Sequence, residues 1–272
     1  MEKDLNTWEE FEKEYRNLEE LRETTKNQTS LGVSELLYRG HANSQWHLDT
    51  TLERLVAPNV SLLKYYKLVS AAKSGVETFI DKSWVIPTLD EYKMWLDEQD
   101  GLFFFNFKAY DYFAYLRHHG FPSPLLDWTA SPYLAAFFAF DKVERSIEKV
   151  SVYIYWEYAG GGKSSSSDEP SIHGLGPYAK VHRRHFLQQS RYTICTAIKD
   201  NKITYANHED VLAKNASSQD RLWKFNLPVS ERNKVMRVLD KMNINSYSLF
   251  GTEDSLVDTI ASREIFVHGR IL

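Results

Sequence analysis

Apolar residues recur along the first thirty positions at three- and four-residue steps. Leu5, Trp8, Phe11, Tyr15, Leu18 and Leu21 fall on one stripe, the signature of an amphipathic helix. Thr7 and Glu10 stand in capping-box spacing at its start. Residues 24–33 are polar and contain Gly32, which predicts a loop. The run Leu36-Leu37-Tyr38 within Ser34–Arg39 reads as a short strand. Helical spacing returns over residues 60–80, about 89–97 and 103–118, the last dense in Phe and Tyr. Gly120-Phe121-Pro122-Ser123-Pro124 forces a turn. A strand at 125–127 and a helix at 132–145 follow. Val150–Tyr158 alternates and is rich in β-branched and aromatic residues, as a strand should be. Residues 159–177, with Gly160-Gly161-Gly162 and Ser164–Ser167, read as a loop, and 178–190 as irregular or helical. The remainder predicts strands at 191–198 and Trp223–Leu227, a helix at 229–242, and a closing strand and helix from 246 to about 264. No internal repeat is present. The pattern predicts an α+β fold: one domain with a mixed or antiparallel central sheet and a helical insertion at about 60–118. Residues 1–33 form an N-terminal amphipathic helix and loop, and 34–272 the main domain.

Two segments far apart end in residues that a core strand does not need. Arg39 and Gly40 close the first strand. Asp127, Thr129 and Ser131 close Leu125-Leu126 and open the apolar helix Tyr133–Phe140. Ser131 before Pro132 is an N-cap with proline at the first helical position. Asp127 and Thr129 either satisfy turn amides or, with the free N–H groups of the helix start, hold a phosphate. Arg39 either pairs with an acid such as Asp49 or Glu53, or grips phosphate or ribose oxygens with its forked guanidinium. Lys180, Arg183, Arg184 and Arg191, interleaved with Tyr178, Phe186 and Tyr192, make a basic segment. It reads as a solvated face, as a phosphate wall, or as a nucleic-acid contact.

Other motifs carry less. Gly162-Lys163-Ser164 ends like a phosphate loop, but Glu157 stands where the first glycine belongs. Gly174-Leu175-Gly176-Pro177-Tyr178-Ala179 matches a dinucleotide pattern by letter, yet it follows a loop rather than a strand. His182 and His185 lack a third ligand at a recognisable spacing, and adjacent His118 and His119 point to different helix faces, so no metal is expected. The single cysteine, Cys195, lies in an apolar strand and reads as an inert core thiol.

Composition narrows the classes. The chain has 272 residues, 43% of them hydrophobic and 26% charged, an ordinary globular balance. Net charge is -4, which argues against nucleic-acid affinity by bulk charge. The N-terminus is acidic and lacks a signal core, and no run approaches the ~18 apolar residues of a membrane span, so a cytoplasmic location is expected.

These segments resemble the FRG domain family, named for a Phe-Arg-Gly motif. Here it stands as Tyr38-Arg39-Gly40, followed by His41, Ser44, Trp46, Leu48 and Leu52-Glu53-Arg54. The second signature runs His119-Gly120-Phe121-Pro122, Leu125-Leu126-Asp127-Trp128-Thr129, Ser131-Pro132 and Ala135–Ala139. A third is Arg184, Gln188, Ser190 and Tyr192. Pro124 stands where many members carry arginine, and the basic segment 180–191 is the expected substitute. The order Arg-Gly, Thr-x-Ser, late Gln is similar to that of ADP-ribosyltransferases, which implies an ADP-ribosyltransferase-like fold. The resemblance implies NAD as substrate. Arg39 would hold NAD, Thr129 and Ser131 would position the nicotinamide ribose, and Gln188 would bond its 2′-hydroxyl. Gly40, Asp127 and Arg184 complete the expected binding set. Gln188 carries no charge, so Glu253 or Glu264 is a candidate for the missing carboxylate; Glu264 precedes Ile265-Phe266-Val267, an acid-then-strand pattern. The implied role is a bacterial toxin or phage-defence effector that modifies a macromolecule or cleaves NAD. The alternatives are a non-catalytic nucleotide-sensing or protein-interaction module, and a nucleic-acid-binding protein.

Overall fold

The computed structural model describes residues 1–56, 60–80, 82–99, 107–163, 169–176, 183–214 and 217–267. It is a mixed α/β structure built on an open eight-stranded sheet. The strands are β1 (Glu2–Asp4), β2 (Leu36–His41), β3 (Leu126–Thr129), β4 (Lys149–Tyr158), β5 (Ser171–Gly174), β6 (Ser190–Lys199), β7 (Lys202–Tyr205) and β8 (Gln219–Pro228). Their order is β1-β8-β4-β2-β3-β6-β5, with β7 also paired to β6. Among the described residues only β1 and β8 run parallel; the other pairs are antiparallel.

Alternation along the strands sorts three cores. Val150, Val152, Ile154 and Trp156 of β4 and Trp223, Phe225 and Leu227 of β8 face α1 (Trp8–Gln28) and α5 (Pro132–Phe140). The same core takes in α8 (Arg232–Lys241). Tyr192 and Ile194 of β6 face α2 (Leu62–Ile80), α3 (Leu89–Asp97) and α4 (Tyr110–His118), the helices inserted between β2 and β3. This second core is aromatic: Tyr66 stacks on Tyr92 at 3.6 Å, and Tyr65 meets Phe113 edge-on at 5.3 Å. The intervening residues Leu37, Trp128, Tyr153, Tyr155 and Cys195 form the third core on the opposite face. There α7 (His208–Leu212) supplies Val211 and Leu212.

Helix α5 lies directly on β2. A Cβ at Gly40 would stand 2.0 Å from the Ala135 carbonyl oxygen and 2.6 Å from the Ala139 nitrogen. The glycine after Arg39 therefore lets a helix backbone touch a strand backbone.

Several expectations need correction. The helix expected over 103–118 begins at Tyr110, after Ala109 in the left-handed region (φ 61°); residues 103–106 lie outside the described residues. The helix expected to run to 145 ends at Phe140, because Arg232 Nε donates to the Phe140 carbonyl at 2.7 Å and Nη2 to that of Asp141. The loop 159–177 contains strand β5, while Ser164–Ser167 and Pro177 fall outside the described residues. The short strands β1 and β7 were not expected. The described residues from 246 hold α9 (Ser246–Phe250), α10 (Glu253–Ser262) and a π turn at Arg263–Val267; among them there is no strand, and α10 is the closing helix expected. A short helix α6 (Arg183–Leu187) completes the set.

Candidate functional site

The cores of α5 and α2–α4 sit on the same face of the sheet over different strands, and β3 runs between them. Strands β2 and β3 share one registered pair, Tyr38 and Thr129, and then part. A cavity of about 290 Å³ opens there. Its floor is Asp127 and Thr129, with Ser190 and Tyr192 across the β3–β6 ladder. Arg39 and Gly40 enter from β2, Arg117 and His118 from the end of α4, and Arg184 and Gln188 from α6 and the turn after it. Phe138 and Phe250 make an apolar wall, with ring centroids 6.4 Å apart.

Asp127 is the electrostatic centre. Its Oδ1 accepts from Arg39 Nη1 at 2.7 Å and from Arg117 Nη2 at 2.6 Å. Arg39 Nη1 also donates to the Asp127 main-chain oxygen at 2.6 Å, bridging the strands where their ladder has ended. Burial alone would raise the carboxyl's pKa. The charges of Arg117 and Arg39 and their hydrogen bonds outweigh that and hold it well below the ordinary carboxylate range. Arg117 is raised in turn, chiefly by Asp127. One anion against two cations leaves this cluster net positive, before Arg184 is added.

Arg39 is fixed at a second point: its Nε donates to His41 Nε2 at 2.9 Å. His41 is buried, and burial, then the charges of Arg39 and Arg54, push its pKa down to about 3. It stays neutral and acts as acceptor. The alternative partners expected for Arg39 are otherwise engaged. Glu53 accepts from Thr50 N at 2.7 Å, and Asp49 from Asn207 Nδ2 at 3.3 Å.

Thr129 Oγ1 donates to the Gln188 main-chain oxygen at 2.8 Å and accepts from Ser131 N at 3.2 Å. Ser131 Oγ caps α5 by accepting from Leu134 N at 3.3 Å; it does not line the cavity. Gln188 Nε2 donates to the Leu249 carbonyl at 3.4 Å, which leaves its Oε1 as an acceptor at the cavity wall. Arg184 lies over the Phe250 ring at 5.3 Å. Tyr192 Oη is 2.8 Å from His118 Nε2, and His185 stacks on Tyr192 at 5.8 Å.

The fold therefore brings together Arg39, Gly40, Asp127, Thr129, Arg184 and Gln188, and leaves Ser131 beside them as a helix cap. Glu253 and Glu264 do not line the cavity. Glu253 is exposed in the first turn of α10, and Glu264 sits in a π turn rather than before a strand. Arg117, which the sequence reading missed, enters the cavity from the end of the inserted helix, while the basic segment contributes Arg184. Arg183 donates to the Gly251 carbonyl and Arg191 pairs with Glu35, so these arginines serve three different partners. Lys180, Tyr178 and His182 lie outside the described residues.

The other motifs resolve structurally. Lys163 is buried between Glu157 at 2.8 Å and Asp220 at 3.1 Å. Cys195 is 1% exposed, and burial pushes its thiol well above the ordinary range. Among the described residues no group of three or more His, Cys, Asp or Glu is arranged to hold a metal. No helix among them is long and apolar enough to cross a membrane.

Residues 34–148 match the family model of the FRG domain. The chain carries an FRG domain. No curated protein and no solved structure matches. The matched FRG segment holds Arg39, Gly40, Arg117, Asp127, Thr129 and Phe138. It ends before Arg184, Gln188, Ser190, Tyr192 and Phe250, so the cavity is closed by residues beyond it.

Proposed function

We propose that this cavity binds a nucleotide, with NAD the first candidate, and that the FRG domain carries an NAD-directed, ADP-ribosyltransferase-like effector. One observation supports the reading above the others: Arg39, Arg117 and Arg184 converge on a cavity that also presents aromatic rings. A phosphorylated ligand with a planar base needs guanidinium groups for its phosphate and a flat apolar surface for its ring. At about 290 Å³ the cavity is near the lower end of small-molecule sites, which span about 300–1,000 Å³. That suits one nucleotide unit, half of a dinucleotide. The motif order shared with ADP-ribosyltransferases points to NAD as the source of that unit. A toxin or phage-defence role is the effector class that turnover of NAD would serve.

A second reading, a nucleotide-sensing module, also has a specific observation in its favour. Cleaving the nicotinamide–ribose bond builds positive charge on the ribose, and a free carboxylate would stabilise it. Asp127 is the one carboxylate among the described lining residues, and both arginines already offset its charge. Gln188 accepts a hydrogen bond without charge.

Incubation of the whole chain with labelled NAD, with and without cell lysate, separates the two. Nicotinamide release or label transfer that disappears in Arg39→Lys supports the effector. In that case Gln188→Ala lowers turnover more than affinity. Saturable NAD-dependent thermal stabilisation without turnover supports the sensor. Absence of both turnover and stabilisation contradicts the NAD assignment.

A further inference from the structure

Both guanidinium groups that hold Asp127 bond the same oxygen, Oδ1. The second oxygen, Oδ2, has no hydrogen-bond partner among the described residues, and 43% of the side chain remains exposed, at the floor of the cavity. An ionised carboxylate oxygen left open beside two arginines is an acceptor looking for a donor. The Asp127 carboxylate is therefore more than a brace for the arginines. Gln188 Oε1 offers a second open acceptor in the same cavity.

The donor's chemistry is constrained by its neighbours. An ammonium group placed on Oδ2 would lie within a few ångströms of Arg39 and Arg117 and be repelled by both. A neutral hydroxyl meets no such penalty. Cationic donors beside open acceptors demand a ligand with an anion next to hydroxyls. A phosphorylated ribose has that pattern, and its base would lie toward the Phe138–Phe250 wall, where Arg184 covers the Phe250 ring.

We infer that Asp127 reads the ligand's sugar: its Oδ2 accepts from the ribose 2′-hydroxyl, so the site selects ribonucleotides over 2′-deoxyribonucleotides. This rests on the nucleotide reading above and adds the sugar as the feature discriminated. It gives Asp127, which the sequence reading placed in the binding set without a named contact, a specific partner on the ligand's sugar.

The test uses the whole chain and defined probes. AMP and nicotinamide mononucleotide are titrated calorimetrically against their 2′-deoxy counterparts. A lost hydrogen bond to a charged acceptor predicts binding of the deoxy form weaker by on the order of tenfold. In Asp127→Asn the carboxylate becomes an amide, and the ribo-to-deoxy ratio is expected to fall to within about twofold. Because Asp127→Asn removes the charge that two arginines share, its fold is checked by circular dichroism. If that variant does not fold, the comparison of ligands on the unaltered chain still decides. Equal affinity for ribo and deoxy forms overturns the inference and leaves the nucleotide reading in place. Absence of saturable binding by all four probes overturns both.

Discussion

Two charged triads lie on opposite faces of the same sheet, and they are built in inverse proportion. On one face Lys163 sits between two carboxylates, Glu157 and Asp220, with side-chain exposures of 3%, 13% and 4%. Tyr155 Oη adds a hydrogen bond to Asp220 at 2.5 Å, and Gly174 N donates to Glu157 at 2.9 Å. On the other face Asp127 sits between two arginines and keeps 43% of its side chain exposed. The first triad is sealed, and each carboxylate takes further protein donors. The second leaves one carboxylate oxygen open at a cavity. A sealed cluster fixes a loop to a sheet; an open one with surplus cation is suited to receive an anion. The same ion-pair chemistry thus serves architecture on one side and, in our proposal, recognition on the other.

The largest expected effect is on the sealed side. Lys163→Met removes the cation from between two buried acids, and breaking such a cluster costs about 3–5 kcal/mol. Urea denaturation checks this. NAD binding by the folded fraction should be unchanged, since Lys163 is not in the cavity; a loss of binding there would collapse the distinction between the triads.

The next effect is on the open side. Arg39→Lys keeps a charge but loses the fork that reaches His41 and both Asp127 oxygens, the main-chain one included. NAD binding should weaken about tenfold or more, with stability lower by roughly 1–2 kcal/mol. Stability lost with no change in binding would make Arg39 a purely structural bridge.

The smallest effect is a difference in sign with pH. Asp127 is lowered, so the unfolded chain takes up its proton first; its contribution is present above the ordinary aspartate pKa and lost as pH falls. Asp220 is raised, by burial, against the pull of Lys163. Its folded form binds the proton first, so its contribution is present at low pH and lost as pH rises through its folded pKa. Denaturant titrations between pH 3 and 6 should therefore show a shallower acid loss in Asp127→Asn and a steeper one in Asp220→Asn. Shifts of the same sign in both would contradict the contrast.

Much of the frame was legible because it is local. The stripe from Leu5 to Leu18, the alternation of β4 and the Ser131-Pro132 cap follow from period and capping chemistry, and each is present. The closing helix expected before 264 is α10, but α9 stands where a strand was expected; its capping box closes with Ser248 rather than glutamate or glutamine, so its start carried no signal. Strand β7 was missed because its signal is a two-residue turn, Asp200-Asn201, with both residues at positive φ. In the site, Arg39 and Asp127 stood out as charges at the ends of apolar runs, but their pairing with each other did not. Arg117 gave no signal: a basic residue ending a helix is ordinary, and only the turn from α4 into β3 brings it to Asp127. Phe138 and Phe250 gave no signal of a site, since a cavity wall and a core share one composition.

The central claim is that the open triad belongs to a nucleotide site. It is tested most directly by NAD titration of the whole chain, followed by thermal unfolding, with Arg39→Lys alongside. The account predicts a saturable rise in melting temperature for the unaltered chain, with a much weaker response in the variant. A flat response in the unaltered chain, or equal rises in both, would contradict it.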